Sequence, residues 1–412
     1  MKQQINLLKR IVSLDKGISN SIDLSLIENI IIKTLPSKLE MNAPPNFPEL
    51  YFDFKQEYER FKEFILFDKL IGKNIVALGG MFSSGKSSFL NSILNEELLP
   101  SDITPTTSVP AYLIYDSEST VYGINSFESK ISMHSEEVAL ISHGFGRDDA
   151  DGTEVKLGHL LQSIFIASPK QPFHHLALLD TPGYSKAEGP EYYKKTDEKI
   201  ARTQLNSANF ILWFVPADSG TITNSDIDFL QSLNPEIPKL IIVNKADKLL
   251  PDELNEVIDK IRDTLKRKKI QVVNVLTDSA EEPEEFDRDK ILIYLKKWDA
   301  AVTQSRFAYD FKVLFTKCKD YYEQQLLERR KYLSRINKSM VYADHDFVLT
   351  FLDELKKKTI TEITDLKQME EELSVLSSDF FKEIKKVSSL VGIDMPEPTE
   401  IDLIDDYWED HV

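Results

Sequence analysis

Gly80-Met81-Phe82-Ser83-Ser84-Gly85-Lys86-Ser87 has the spacing of a phosphate-binding loop, G-x-x-x-x-G-K-[ST]. The two glycines let the backbone turn its N–H groups inward around an anion, and a helix beginning near Lys86 adds the positive end of its dipole. In such a loop Gly80, Ser83, Ser84, Gly85 and Ser88 border the phosphates, Lys86 reaches the outer ones, and Ser87 offers a hydroxyl to Mg2+. The loop stands where that chemistry requires, after the apolar run Ile75 to Leu78 and before an amphipathic stretch with Phe89, Leu90, Ile93 and Leu94.

Two further stations follow in order. Leu178-Leu179-Asp180-Thr181-Pro182-Gly183 sets an acid at the end of an apolar run, where Asp180 can bind Mg2+ through water and the Gly183 N–H can meet a γ-phosphate. Ile241-Ile242-Val243-Asn244-Lys245-Ala246-Asp247 ends another such run with the pattern N-K-x-D. Asp247 can accept from guanine N1–H and the 2-amino group, a donor pair that adenine lacks, so guanine is favoured. Lys245 can lay its methylene stem over the base, and Asn244 can tie this loop to the phosphate loop. The stretch Asn274 to Ala280 is read as closing the base pocket through backbone groups of Ser279 or Ala280.

Elements must hold these stations in place. Short apolar runs at Ile75 to Leu78, Ala111 to Tyr115, Leu176 to Leu179, Phe210 to Val215, Leu240 to Val243 and Val272 to Leu276 alternate with amphipathic stretches, which predicts an α/β domain with a mainly parallel sheet. Glu284 to Val391 contains neither glycine nor proline and reads as helix, with a reversal in the polar stretch Asn337 to Asp346. Leu366, Met369, Leu373, Leu376, Phe380, Val387 and Leu390 follow a heptad seam that Glu383 interrupts. A helix from about Leu50 to Leu70 carries Phe54, Tyr58, Phe61 and Ile65 on one stripe. The organisation expected is an N-terminal helical segment with a proline-rich loop over 1–48, a bundle helix over 49–72, a nucleotide-binding domain over 73–282, an all-α bundle or stalk over 283–395, and an acidic tail over 396–412.

Composition narrows the function classes. Of 412 residues, 68 are Asp or Glu and 50 Lys or Arg, a formal charge of −18 that repels phosphate backbones, so nucleic acid is not an expected partner. The single cysteine, Cys318, excludes an internal disulfide framework and points to a reducing compartment. Charge enters too early at the N-terminus for a signal peptide, and no apolar run approaches about 18 residues, so the expectation is a cytoplasmic chain with at most peripheral membrane contact. His134, His143, His159, His174 and His175 offer no i, i+4 pair with a nearby acid, and no metal cluster is expected of them. The run Lys356-Lys357-Lys358 reads as a solvated helix face, with anionic lipid as its alternative partner, and neither a hydrophobic paddle nor a transmembrane hairpin is evident at the stalk tip.

Gly80 to Asn91, followed by Leu99-Pro100-Ser101-Asp102-Ile103-Thr104-Pro105-Thr106-Thr107, resembles the dynamin superfamily of large GTPases, above all bacterial dynamin-like proteins and mitofusins. The likeness covers roughly 73 to 282, and the step of 73 positions from Thr107 to Asp180 matches the enlarged G domains of that group. It implies GTP as substrate, GDP as product and Mg2+ held by Ser87, Thr107 and Asp180. It implies catalytic roles for Lys86, Thr107, Ser83 and Gly183, with Thr106 as the fallback for Thr107, and a monovalent cation, K+ or Na+, beside Ser83. Phe82 departs from the family, whose best-known members carry a water-positioning glutamine there, so slow hydrolysis by the isolated monomer is expected. The resemblance further implies pairing of G domains across their nucleotide faces, movement of the helical stalk, and a role in membrane remodelling, with a partner dynamin-like or scaffold protein as a further associate. The alternative is a soluble GTP-switched scaffold whose stalk binds protein.

Overall fold

Nine strands form one mixed sheet in the computed structural model, which describes residues 2–12, 22–99, 109–127, 129–142, 160–184, 191–301, 306–393 and 395–401. They are β1 (Asn74–Gly80), β2 (Ala111–Tyr115), β3 (Thr120–Asn125), β4 (Lys130–Met133), β5 (Leu161–Ser168), β6 (Leu176–Asp180), β7 (Phe210–Pro216), β8 (Lys239–Asn244) and β9 (Asn274–Thr277), in the order β4-β3-β5-β2-β6-β1-β7-β8-β9. The α-helices, in chain order, are α1 (Lys2–Ile11), α2 (Ser25–Asn29), α3 (Leu35–Leu39), α4 (Phe47–Leu66), α5 (Lys86–Leu94), α6 (Ser135–Ser142), α7 (Glu191–Asn206), α8 (Asn224–Ser232), α9 (Pro251–Arg267), α10 (Arg288–Ala300), α11 (Phe307–Tyr342) and α12 (Asp346–Val391). The described residues divide into a sheet unit, 2–12 with 72–301, and a helical unit, 22–71 with 306–401.

Within the sheet unit β1 is central. It runs parallel to β6 from Asn74↔Leu176 to Leu78↔Asp180 and parallel to β7 from Val76↔Phe210 to Gly80↔Phe214. All seven of its residues are buried, which is why it reads as a continuous apolar run rather than an alternation. β8 and β9 extend the parallel side, while β2 pairs antiparallel with β6, Ala111 opposite Asp180. The pairs β3/β5 and β3/β4 are also antiparallel while β2/β5 is parallel, so the sheet is mixed, with an unbroken parallel run from β6 to β9. The strands β3, β4 and β5 lie in the long insert between β2 and β6, where no strand was expected from the sequence.

Two helices expected in the bundle belong to the sheet unit, and hydrophobic contact decides both. Leu7 and Ile11 of α1 are fully buried among sheet-side residues, and the Asn125 side-chain amide donates to the Ile11 carbonyl at 2.7 Å. Ile291, Leu295 and Trp298 of α10 are likewise fully buried there, and Asn74 on β1 donates its amide to the carbonyls of Trp298 at 2.8 Å and Ala301 at 2.9 Å. The sheet unit therefore runs to residue 301 rather than 282.

The helical unit is built on aromatic contact. Phe54 of α4 meets Phe315 edge-on at 4.9 Å, Phe61 meets Phe307 at 5.3 Å, and Phe311 meets Phe380 at 4.7 Å. The last contact, with the ion pair Arg329–Glu362 at 3.4 Å, shows α11 and α12 running antiparallel on either side of Ala343, Asp344 and His345, inside the stretch where a reversal is expected. Along α12 the seam steps past Glu383 onto Ile384, which is fully buried, while Leu390 is exposed and leaves the seam. Residues 396–401, expected as part of a solvated tail, return onto the helices: Lys385 pairs with Glu397, and Lys312 donates to the Ile401 carbonyl at 2.6 Å. Tyr407 and Trp408 lie outside the described residues.

At the reversal apolar side chains are exposed. Val341, Tyr342, Phe347 and Phe351 are all exposed, Tyr342 at 86% and Phe347 at 78%, so the tip carries an apolar cap. Its residues are spread through polar sequence on both sides of the turn and form no apolar run. Among the described residues no helix is long and apolar enough to cross a membrane.

Candidate nucleotide-binding site

The carboxyl ends of β1, β6 and β8 bring three loops together at one edge of the sheet, the edge at which open α/β sheets take ligands. Gly80 closes β1, Asp180 closes β6 and Asn244 closes β8. A Cβ on Gly85, where φ is 90°, would stand 2.1 Å from Nδ2 of Asn244, so only glycine admits the third loop this close. Asn244 uses the approach to donate Nδ2 to the Ser84 carbonyl at 2.9 Å, and Lys245 donates Nζ to the Ser83 carbonyl at 2.8 Å. Two hydrogen bonds thus join the N-K-x-D loop to the phosphate loop.

Lys86 is buried, and its Nζ donates to the carbonyls of Met81 at 3.1 Å and Gly80 at 3.3 Å. Burial lowers its pKa, and the Asp180 and Asp226 carboxylates act against that shift. An ammonium curled over its own loop is a cation that an incoming phosphate would draw outward. Ser88 follows on the first turn of α5.

Ser87 donates its hydroxyl to Oδ2 of Asp180 at 2.7 Å. Burial pushes the Asp180 carboxyl upward, with Lys86 and the Ser87 hydroxyl pulling it back. Among the described residues Oδ1 of Asp180 is buried without a hydrogen-bond partner. A hydroxyl and a carboxylate in contact, with one buried oxygen left unsatisfied, are the hard donors that Mg2+ takes directly or through water, and the residues fit that ion. Thr181 donates Oγ1 to the Leu78 carbonyl at 2.6 Å, fixing the chain as it leaves β6. Gly183 then lies against Phe82, where an added Cβ would come 2.6 Å from the Phe82 Cα.

Beyond the end of β9 the Ser279 hydroxyl donates to Oδ1 of Asp247 at 2.6 Å and accepts the backbone N–H groups of Glu281 and Glu282, each at 3.2 Å. The sequence reading assigned backbone groups to this position; the side chain is what the fold brings to Asp247. It missed Arg288 altogether. That guanidinium chelates Asp278 through Nε at 2.7 Å and Nη2 at 2.9 Å, reaches the Ser279 carbonyl at 3.2 Å, and donates Nη1 to Ser92 Oγ at 2.9 Å. Arg288 fixes the loop that holds Asp247, and a lone arginine at the start of α10 carries no spacing signal from which to infer it.

Thr106 and Thr107 lie outside the described residues; Ala111, four residues after Thr107, pairs with Asp180. His143 and His159 also lie outside them, and the His174 ring stacks on Tyr115 at 3.7 Å. Among the described residues no group of three or more His, Cys, Asp or Glu side chains is arranged to hold a metal.

Comparison with known proteins agrees with this geometry. A sequence profile of the Dynamin family matches residues 76–247, which include all three loops. Dynamin-like protein 2 of Campylobacter jejuni is 24% identical over 323 residues, 77% of this chain and 49% of that relative. Dynamin-like protein A of Bacillus subtilis is 25% identical over 176 residues, 42% of this chain and 13% of that relative. The chain thus spans about half or less of the length of these curated relatives. Among solved structures, one described as an oligomerised bacterial dynamin pair, with a mechanism for long-range sensing and tethering of membranes, aligns with 82% of this chain and 51% of its own at 19% identity and a TM-score of 0.42. The family profile lies over the phosphate loop, the Asp180 loop and the N-K-x-D loop, so it is in residues 76–247 that this chain is similar to the Dynamin family.

Proposed function

We propose that this chain binds GTP with Mg2+ and hydrolyses it to GDP and phosphate. The observation that carries the reading is the Ser87–Asp180 contact at 2.7 Å on one side of the phosphate loop, with the Asn244–Ser84 tie at 2.9 Å on the other. One side supplies oxygen donors for a phosphate-bound cation, and the other delivers a base-reading carboxylate to the same cradle.

The transfer of a phosphoryl group to water needs positioning and charge neutralisation more than covalent help. Lys86 and the N–H groups of the loop neutralise phosphate charge, and Gly183 offers a backbone N–H to the γ-phosphate. Ser87 and Asp180 would hold Mg2+, with Thr107 as a third protein group, and the ion would supply positive charge to neutralise the phosphates. By the family resemblance, Ser83 would help a monovalent cation share that task. Asp247, held by Ser279, accepts from guanine, and the Lys245 stem lies along the base. Phe82 has no hydrogen bond to give the attacking water, so that work falls to groups near Thr107 or to a second copy docked across the nucleotide face. Hydrolysis by the isolated chain is accordingly slow.

Loss of the γ-phosphate relaxes the loops at Thr107 and Gly183, and in this reading the change is passed to the helical unit as movement of a stalk. The apolar tip favours a membrane as the load. Tyr342, Phe347 and Phe351 share this end of α11 and α12 with Arg330, Lys331, Arg335, Lys338, Lys356 and Lys358 against Asp344, Asp346 and Glu354, an excess of cations suited to an anionic lipid surface. The chain is then cytoplasmic and peripheral on a membrane. Turnover of GTP by the chain and by Lys86→Ala, each with and without anionic vesicles, tests the reading. The expected result is turnover that the substitution abolishes and vesicles stimulate. Turnover without vesicle binding favours a GTP-switched scaffold, and turnover retained by Lys86→Ala refutes the site.

A further inference from the structure

Tyr184 directly follows Gly183 and is buried. Its ring packs on Phe229 of α8 at 4.7 Å and on Trp213 of β7 at 5.7 Å, and its hydroxyl donates to Oδ1 of Asp226 at 2.8 Å. Asp226 is 1% exposed and accepts three further hydrogen bonds, from Trp213 Nε1 at 3.2 Å, from the Thr223 N–H at 3.2 Å and from Thr223 Oγ1 at 2.7 Å. Thr223 and Asp226 form the capping box of α8, so the residues that start this helix also anchor the chain leaving β6. Burial, and then the Asp226 carboxylate, raise the Tyr184 phenol, which therefore stays protonated and a donor.

The other end of the same contact is the phosphate loop. Gly183 rests so closely on Phe82 that a Cβ there would stand 2.6 Å from the Phe82 Cα, and Thr223 Oγ1 lies 3.9 Å from the Met81 sulfur. Residue 183 is thus held between Phe82 on one side and a tyrosine fixed to a buried carboxylate on the other.

We propose that Tyr184 is a positioning residue for the terminal phosphate: its hydrogen bond to Asp226 holds Gly183 against Phe82, fixing the backbone that meets a γ-phosphate while the phosphate loop alone holds the α and β groups. The inference rests on the GTP reading above and adds to it a residue that discriminates triphosphate from diphosphate. Asp226 is the anchor, and Tyr184 carries its position to the adjoining glycine.

The test is the ratio of affinities for GDP and a non-hydrolysable GTP analogue in Mg2+ buffer, measured on the wild-type chain, Tyr184→Phe and Trp213→Phe. Tyr184→Phe keeps the ring and removes the hydroxyl; it should leave GDP affinity unchanged and weaken the GTP analogue by about ten-fold, the range set by one hydrogen bond to a buried carboxylate. Trp213→Phe removes another donor from the same oxygen, keeps an aromatic ring beside Tyr184 and leaves the Tyr184 hydroxyl in place, and its ratio should match the wild type. Equal loss for both nucleotides in Tyr184→Phe, no loss for either, or an equal shift in Trp213→Phe would overturn the proposal while leaving the GTP reading intact. Failure of the wild-type chain to bind either nucleotide would overturn both.

Discussion

Ser87 and Asp180, 93 positions apart in the chain, share a hydrogen bond of 2.7 Å between the first turn of α5 and the end of β6. The second oxygen of that carboxylate is buried with no partner among the described residues, and in the proposed function a cation would satisfy it. Nucleotide affinity should therefore depend on Mg2+ through Asp180. Chelation should weaken GDP binding to the wild-type chain by about ten-fold or more, the scale on which residues holding a metal through water act. Asp180→Ala should bind GDP weakly and equally with and without Mg2+. A variant that keeps the full Mg2+ dependence would remove Asp180 from the ion.

In the proposed site base choice would rest on Asp247, whose Oδ1 accepts from the Ser279 hydroxyl at 2.6 Å. Asp247→Asn replaces one acceptor oxygen with a donor, which opposes the guanine donors and suits the 2-oxo group of xanthine. Affinity for GDP should fall by about a hundred-fold, the value of a hydrogen bond to a charged group at its upper range, and affinity for xanthosine diphosphate should rise. Competition binding with the two diphosphates reads both changes at once. Unchanged guanine preference would move the base pocket elsewhere.

Arg288 should act on the same pocket from behind. Its guanidinium joins Asp278, the Ser279 carbonyl and Ser92, so its removal frees the loop that supports Asp247 and leaves a buried carboxylate without its cation. Arg288→Lys keeps one charge but not the bidentate fork, and guanine nucleotide affinity should fall by about ten-fold with little change in the ratio of GDP to GTP analogue. Titration calorimetry of the two nucleotides checks this, and wild-type affinity in Arg288→Lys would reduce Arg288 to packing.

The helical unit carries a pH dependence of its own. Glu57 on α4 lies 3.3 Å from Arg60, which also reaches Asp310 at 3.2 Å. Burial pushes the Glu57 carboxyl up from 4.5 to about 8, with Arg60 opposing and Asp310 adding to the shift. Between those values the folded chain keeps a proton that the unfolded chain has released, so this group's contribution is fully present below about 4.5 and is lost as the pH rises toward about 8. Glu57→Gln should remove that part of the slope. The melting temperatures of variant and wild type should diverge as the pH rises from about 5 to about 8, with the variant higher at the alkaline end. Parallel curves would show that Glu57 does not titrate in this window.

Much of this arrangement is legible in the sequence because it rests on local pattern. β1, β6, β7 and β8 are buried on both faces and read as unbroken apolar runs, and the residues proposed to face phosphate or base lie at short offsets from the ends of β1, β6 and β8. α11 and α12 are legible because nothing in their length breaks a helix. What stays hidden depends on contacts between distant segments. An amphipathic stripe says that α1 and α10 bury a face but not against which neighbour, so both were read as bundle helices. β3 and β4 are short and antiparallel at the sheet edge, with polar residues and Gly123 diluting their pattern. Arg288 and Asp226 act through side-chain hydrogen bonds for which no sequence spacing stands.

The central claim is that Lys86, Ser87, Asp180 and Asp247 together form a site for Mg2+-guanosine triphosphate. Titration calorimetry of the purified chain in Mg2+ buffer with GDP, a non-hydrolysable GTP analogue and ATP, repeated with Lys86→Ala, tests it most directly. The account predicts saturable binding of both guanine nucleotides, no comparable binding of ATP, and no binding by the variant. Absence of binding for both guanine nucleotides by well-folded protein, or equal affinity for ATP, would contradict it.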